Sequence, residues 1–346
     1  MSEDGKDPVG AMGNDTPLSV LSNRNKTIFS YFKQRFAQVS NPPIDYLREN
    51  LVTSLESHIG RKGNLLEESP EHCRQLHLSS PILTDQELDA IRNMEVNGIR
   101  AKTIDCSFPL GMSLGEGIRN IRHQALDAID EGYEILILSD RNIHENRVPV
   151  PSLLLIGGVH HFLIRKNVRS EVGLVMETGD PTDVHHFCTL IGYGADAINP
   201  YLAYASITQV INDSAKDVRV EDALAQYRVA VEDGIQKVMS KMGISTLESY
   251  KGAQIFEIIG LNSYVVDEYF EGTVSRIEGM GFKEIEQDIN ERHKMAYHTY
   301  VHGNIKLDQE GEYFWRRDGE YHQWNPMTLG RLQHSAKSGD YEVYKQ

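Results

Sequence analysis

Basic residues are scarce in this chain: 35 Lys and Arg stand against 50 Asp and Glu, a formal net charge of −15 over 346 residues. A surface of that sign repels phosphate backbones and anionic lipid headgroups, which argues against nucleic-acid and membrane-surface binding. Long apolar runs are missing as well. None approaches the roughly 20 residues that cross a bilayer, and the opening MSEDGKDPVG has no apolar signal core. Cysteine is sparse, and Cys73, Cys106 and Cys188 are odd in number and far apart. They spell neither a disulfide framework nor a zinc signature, so the expectation is buried, reduced thiols in a cytoplasmic protein. The short motifs of phosphate, metal and acyl chemistry are absent too: there is no GxxxxGK, GxGxxG, HExxH, CxxC or GxSxG.

What is present is a repeated alternation between residues 134 and 204. ILILSD, VGLVMETG and ADAINP are short apolar runs, each closed by polar residues, separated by PSLLLIGGVHHFLIRKN and PTDVHHFCTLIGYG. Runs of four to eight apolar residues alternating with helical patterns indicate parallel strands in βαβ units. Right-handed crossovers then bring the strand ends Asp140, Glu177 and Asn199 to one rim, where such sheets place their chemistry. The fold class is α/β, with βαβ units forming an open parallel sheet or a partial (β/α) barrel, followed by a mainly helical connector.

On either side the punctuation is mostly helical. Ile28, Tyr31, Phe32, Phe36 and Val39 recur at helical spacing up to Asn41-Pro42-Pro43, where proline stops a helix. A second helix is expected from Asp45, with Leu47, Leu51 and Leu55 on one face, to about Gly60. Thr84-x-x-Glu87 reads as a capping box with Leu88 and Ile91 inward, and Ser245-x-x-Glu248 as another, opening TLESYKGAQIFEIIG as a helix. AKTIDCSF is a candidate strand. Helices are expected over 116–131, with Gly132 as the left-handed stop, over 221–242 before Gly243, and over 282–300. FWRRDGEYHQW suggests a hairpin at Asp318-Gly319, and the last residues look helical.

The chemistry these residues support is limited. Adjacent helical residues point about 100° apart, so neither His160-His161 nor His185-His186 forms one facial ligand set. One histidine of each pair converging across neighbouring helices is the remaining metal reading, against ordinary histidines bonded in the core. Asp140, Glu177 and Asn199 stand where α/β enzymes hold acids and bases, yet a strand-end carboxylate equally caps a helix or binds Arg141. Glycines in IGGVHH and IGYGAD read as packing positions before phosphate cradles. Phe29, Tyr31, Phe32 and Phe36 read as core or interface, and Arg316-Arg317 as a solvated pair available to carboxylates.

Several blocks resemble a known family in order along the chain. MGNDTPLSVLS, FAQVSNPPIDYLRE, GRKGNLLEESPEH, PSLLLIGGVHHFLIR, METGDPTDVHHFCTLIGYGADAINPYLAY and VMSKMGISTLESYKGAQIFEIIGL look like the central domain of the large subunit of glutamate synthase. FWRRDGEYHQWNP is similar to the approach to that enzyme's flavin barrel. The resemblance implies residues 1–204 as central domain, 205–309 as helical connector and 310–346 as the start of the FMN-binding barrel domain. It also implies an enzyme that makes L-glutamate from glutamine and 2-oxoglutarate with reduced FMN and an iron–sulfur cluster, ammonia passing through an internal tunnel. The partners implied are the glutaminase and FMN-binding domains of the same enzyme and its small electron-donating subunit. The chain begins Met-Ser rather than with the family's nucleophilic cysteine, and its cysteines lack the cluster spacing. It is therefore expected to be a scaffold and tunnel segment, inactive alone, with no catalytic, cofactor or metal residues of its own. Ser40, Asn41, Pro42 and Pro43 are the tunnel-wall candidates under that resemblance. The rival expectations are a non-catalytic module binding the other synthase domains in trans, and an independent α/β enzyme using the strand-end trio.

Overall fold

The three apolar runs become neighbours in one sheet. The computed structural model describes residues 1–7, 13–35, 48–64, 66–213, 218–299 and 311–345. In it, strands Ile135–Ser139, Gly173–Glu177 and Ala197–Asn199 pair in parallel, and Ile99–Asp105, inside the expected AKTIDCSF region, joins them on the other side. Glu95–Val96 adds a short antiparallel edge. Asn97 and Gly98 make that tight turn at φ 51° and 79°, the left-handed backbone a two-residue hairpin demands.

The four parallel strands lie side by side in chain order, as in an arc of a (β/α) barrel. Leu136, Leu138, Leu174 and Met176 share a core with residues of the connecting helices Leu114–Asp130, Ser152–Arg165 and Val184–Gly192. Their alternates Ile135, Ile137 and Val175 pack instead with Leu88 and Ile91 of helix Asp85–Arg92 and with Ile59. Burial of both faces explains why these strands read as unbroken apolar runs. The Thr84 box forms as expected: the Glu87 amide donates to Thr84 Oγ1 at 3.2 Å, and the Thr84 amide to Glu87 Oε2 at 2.8 Å. Gly157 is a packing glycine. A Cβ there would lie 2.5 Å from the Tyr269 carbonyl oxygen.

After helices Tyr201–Asp213 and Val220–Met242, the latter ended by left-handed Gly243, a second sheet appears. Phe256–Leu261 pairs antiparallel with Phe32–Gln34 and parallel with Val274–Met280, across the helix Ser263–Tyr269. Phe32 meets Tyr193 and Phe270 edge-on at ring-centroid distances of 5.3 and 4.8 Å. This aromatic contact fuses the second sheet to the main core.

Several local expectations are corrected. The helix over 28–39 is a 3₁₀ turn, Ile28–Tyr31, followed by strand Phe32–Gln34. Pairing with Phe256–Leu261 overrides the helical spacing there, because aromatic residues suit a pleated surface; Phe36 and Val39 lie outside the described residues. From Asp45, only Glu49–Val52 is helical among the described residues. Leu51 is 82% exposed, and Ser57–Ile59 is a strand. TLESYKGAQIFEIIG begins as one helical turn, Leu247–Tyr250, with Thr246 rather than Ser245 at the N-cap position and no side-chain cap, so the expected box does not form. It then breaks at Gly252 and Gln254, both at positive φ, and becomes a strand. Residues 311–325 turn at Asp318 and form no strand, so the expected hairpin is absent. Cys73 is exposed, unlike Cys106 and Cys188.

Candidate functional site

Register places Asp105, Ser139, Glu177 and Asn199 in one row across the carboxyl ends of the parallel strands. The structure thus brings the expected trio to a single rim, and the surroundings of each member decide its chemistry. Glu177 is 2% exposed. Its Oε2 accepts from Ser139 Oγ at 2.6 Å and from the Arg92 guanidinium at 2.8 Å, while Oε1 accepts from Arg141 Nε at 2.7 Å. A carboxylate with both oxygens already engaged by two guanidinium groups and a hydroxyl is committed to the chain's own donors. Arg141 also lies over the Tyr201 ring, 4.4 Å from its centroid, and so roofs this end of the row.

Asp140 is built differently. It accepts from Thr178 Oγ1 at 2.5 Å and from the Gly179 amide at 3.2 Å, with the Tyr201 hydroxyl as a further partner. Burial, and then the negative charge of Asp180, push its pKa up to about 7. Asp180 is itself occupied as the lid on the first turn of helix Ser152–Arg165, accepting from the Ser152 amide at 2.8 Å and hydroxyl at 2.9 Å. Asn199 is fully buried and donates to the Leu83 carbonyl at 3.0 Å and Asp85 Oδ1 at 2.9 Å. Its Oδ1 meets no partner among the described residues. Asp105 is held by Arg147 at 2.9 Å. Each of the strand-end acids therefore spends its acceptors on the chain's own donors.

The histidine pairs are likewise committed. His160 Nδ1 accepts from Arg169 Nε at 3.0 Å, which requires a neutral ring; burial, then the Arg169 charge, hold its pKa down at about 3. His185 Nε2 lies 3.2 Å from the Phe29 carbonyl, and His186 stacks on the Phe29 ring at 4.3 Å. Burial lowers the pKa of both. No group of three His, Cys, Asp or Glu among the described residues could hold a metal ion. The three free cysteines sit on separate elements, so these residues do not fit an iron–sulfur cluster. The glycines of IGGVHH face Tyr269 and Phe270 rather than an open phosphate cradle. Ser40, Asn41, Pro42 and Pro43 lie outside the described residues.

A buried charge cluster lies at the opposite end of the strands, and no motif marks it in the sequence. Asp196, 2% exposed, precedes the strand Ala197–Asn199. It accepts from Arg169 at 3.1 Å, Lys251 Nζ at 2.5 Å and the Leu174 amide at 2.8 Å. Lys251 also pairs with Glu248 at 2.6 Å. This group ties the first sheet to the segment leading into the second. Its one sequence signal was an acid inside the apolar run GADAIN.

Residues 1–262 match the family model described as the glutamate synthase central domain. The chain belongs to that family. It is 43% identical over 344 residues to the glutamate synthase [NADPH] large chain of Bacillus subtilis, covering 99% of this chain and 22% of that one. It is 40% identical to the glutamate synthase [NADH] of Schizosaccharomyces pombe, over 100% of this chain and 17% of the relative. It is also 40% identical to the ferredoxin-dependent glutamate synthase of Antithamnion sp., over 100% of this chain and 23% of that one. The chain thus spans about a fifth of the length of these glutamate synthases, and residues 263–346 stay within the match although they lie beyond the family model. A flavocytochrome b2 mutant with benzoylformate overlaps 54% of this chain and 39% of its own at a TM-score of 0.32 and 11% identity, a likeness too loose to carry any argument. No helix among the described residues is long and apolar enough to cross a membrane.

Proposed function

We propose that this chain is the scaffold segment of a glutamate synthase. In this reading it holds the enzyme's glutamine-hydrolysing and flavin sites in register without supplying a reacting group. The parent activity is the formation of L-glutamate from glutamine and 2-oxoglutarate with reduced FMN and an iron–sulfur cluster, all carried by other domains in the cytoplasm. The observation that carries the reading is the state of the rim: Glu177 has both oxygens bound by Arg92, Arg141 and Ser139, which leaves no free base where an α/β enzyme would need one. Support comes from the relatives. Identity is nearly the same, 43, 40 and 40%, to enzymes named for NADPH, NADH and ferredoxin, as expected of a part that does not handle the electron donor. Trp324, Met327, Tyr341 and Tyr344 are 52–67% exposed, which suits a surface facing other parts of a larger enzyme. On this reading the partners are the glutaminase and FMN-binding domains and the small electron-donating subunit, and the division at 204 and 309 separates central domain, connector and barrel entry.

Within that role, Ser40, Asn41, Pro42 and Pro43 are proposed to wall the ammonia passage, Ser40 and Asn41 supplying polar groups able to hydrogen-bond ammonia. In a synthase polypeptide carrying this segment, Asn41→Leu raises the ratio of glutamine hydrolysed to glutamate formed well above that of the parent. An unchanged ratio removes these residues from the passage.

A further inference from the structure

Two segments separated by most of the chain are joined at a single imidazole. His322 is 3% exposed. Its Nδ1 lies 2.8 Å from Asp15 Oδ1, and its Nε2 lies 2.6 Å from the Gly311 carbonyl oxygen. Both partners are acceptors. A neutral imidazole has one N–H to give and an imidazolium has two, so only the charged ring makes both bonds.

Further contacts join the same two segments around it. Asp15 Oδ2 accepts from the Trp324 amide at 2.9 Å, and the Asp15 carbonyl accepts from the Gln323 amide at 3.1 Å. Beside them Glu320 accepts from Ser22 Oγ at 2.7 Å and pairs with Lys26 at 2.8 Å, and that lysine lies 3.7 Å from Glu312. Arg24 donates to the Asp318 carbonyl. Tyr313 donates to Asp183 Oδ2 at 2.9 Å, and Asp183 is the N-cap of helix Val184–Gly192. Segment 311–325 therefore lies across segment 13–26 and reaches the loop that leaves the strand Gly173–Glu177.

We propose that His322 is a proton-operated clasp, holding segment 311–325 onto segment 13–26 while its ring is protonated and loosening when the ring loses that proton. Among the described residues, the charged groups acting on the ring are Asp15 and Glu320. Burial alone would lower its pKa; the Gly311 carbonyl, the Asp15 carboxylate and then Glu320 more than reverse this, so the pKa lies above the usual imidazole value. A group with a raised folded pKa contributes fully below its unfolded value of about 6.5 and loses that contribution as pH rises through the folded pKa. The clasp is thus closed in mild acid and opens as pH rises through the raised pKa of the ring.

The chain's two tryptophans, Trp315 and Trp324, both lie in the clasped segment, so intrinsic fluorescence reads it directly. Titration of the purified chain from pH 5.5 to 9.5 is expected to give a one-proton red shift in emission with a midpoint above the ordinary imidazole value, at constant far-ultraviolet circular dichroism. The shift is absent in His322→Gln. In Asp15→Asn, which keeps the ring and removes the anion, the midpoint moves down towards the ordinary value. Emission that stays constant in the parent, the same titration persisting in His322→Gln, or a midpoint unmoved by Asp15→Asn would overturn the clasp.

Discussion

Asp196→Ala lowers the unfolding free energy by about 3–5 kcal/mol, the cost of leaving buried cations without their counter-charge. Arg169 and Lys251 both point at this carboxylate, and the Lys251 side chain is only 9% exposed. Removing the acid leaves Arg169 without its carboxylate and Lys251 with only the more exposed Glu248. The loss exceeds that of a surface pair, for which solvent screening leaves at most about 1 kcal/mol. Its pH dependence is equally specific. Burial alone would raise the Asp196 pKa, but Arg169 and then Lys251 hold it well below the usual carboxylate range. Stability from a depressed acid is present above the unfolded value of about 3.9 and is lost as pH falls through the folded value. Urea unfolding is therefore expected to show parent and variant curves separated at pH 5–8 and converging in strong acid. A separation below about 1 kcal/mol at pH 7, or one that persists unchanged in strong acid, would show that the network does not brace the fold.

Asp140→Asn gives the opposite sign. Asp140 keeps its proton up to about pH 7, because burial and the nearby Asp180 charge disfavour ionisation. Between the unfolded value of about 3.9 and the folded value near 7, the folded state binds more protons than the unfolded chain, so stability falls as pH rises. An amide never ionises. The variant therefore matches the parent near pH 4, gains on it from there to about pH 7, and stays ahead above that by up to about 4 kcal/mol. Denaturant unfolding at pH 4, 6 and 9 measures the gap. A variant that is less stable at pH 9 would mean that Thr178, Gly179 and Tyr201 stabilise an ionised Asp140 instead.

The parallel sheet was legible because its strands Ile135–Ser139, Gly173–Glu177 and Ala197–Asn199 are buried on both faces. ILILS and GLVME are nearly pure apolar text bounded by polar strand ends. The helix over 114–130 was legible through its stripe of Ile118, Ile121 and Ala125 and its stop at Gly132, which adopts φ 81°. The second sheet was not. Phe32–Gln34 is a three-residue strand whose aromatic spacing fits a helix equally well, and its partner Phe256–Leu261 comes more than two hundred positions later. Local pattern carries no information about such a pairing. At the rim, strand ends could be read but partners could not. Glu177 was visible as a strand-end acid, whereas Arg92, which neutralises it, belongs to a helix eighty-five positions earlier. His322 and Asp15 are farther apart still, and neither sits in a periodic pattern that would mark it.

On the proposed reading, the rim of the parallel sheet braces the fold and takes no part in the reaction. The most direct test is Glu177→Gln in a synthase polypeptide carrying this segment, with glutamate formation and thermal unfolding measured on the same preparation. The expected result is a lower melting temperature, because Arg92 and Arg141 lose their shared counter-charge. Below that temperature kcat stays within about threefold of the parent, and the ratio of glutamine consumed to glutamate formed does not change. A kcat reduced by the 10²–10⁴-fold typical of a lost general acid or base, at an unchanged melting temperature, would contradict that reading and make Glu177 a catalytic residue.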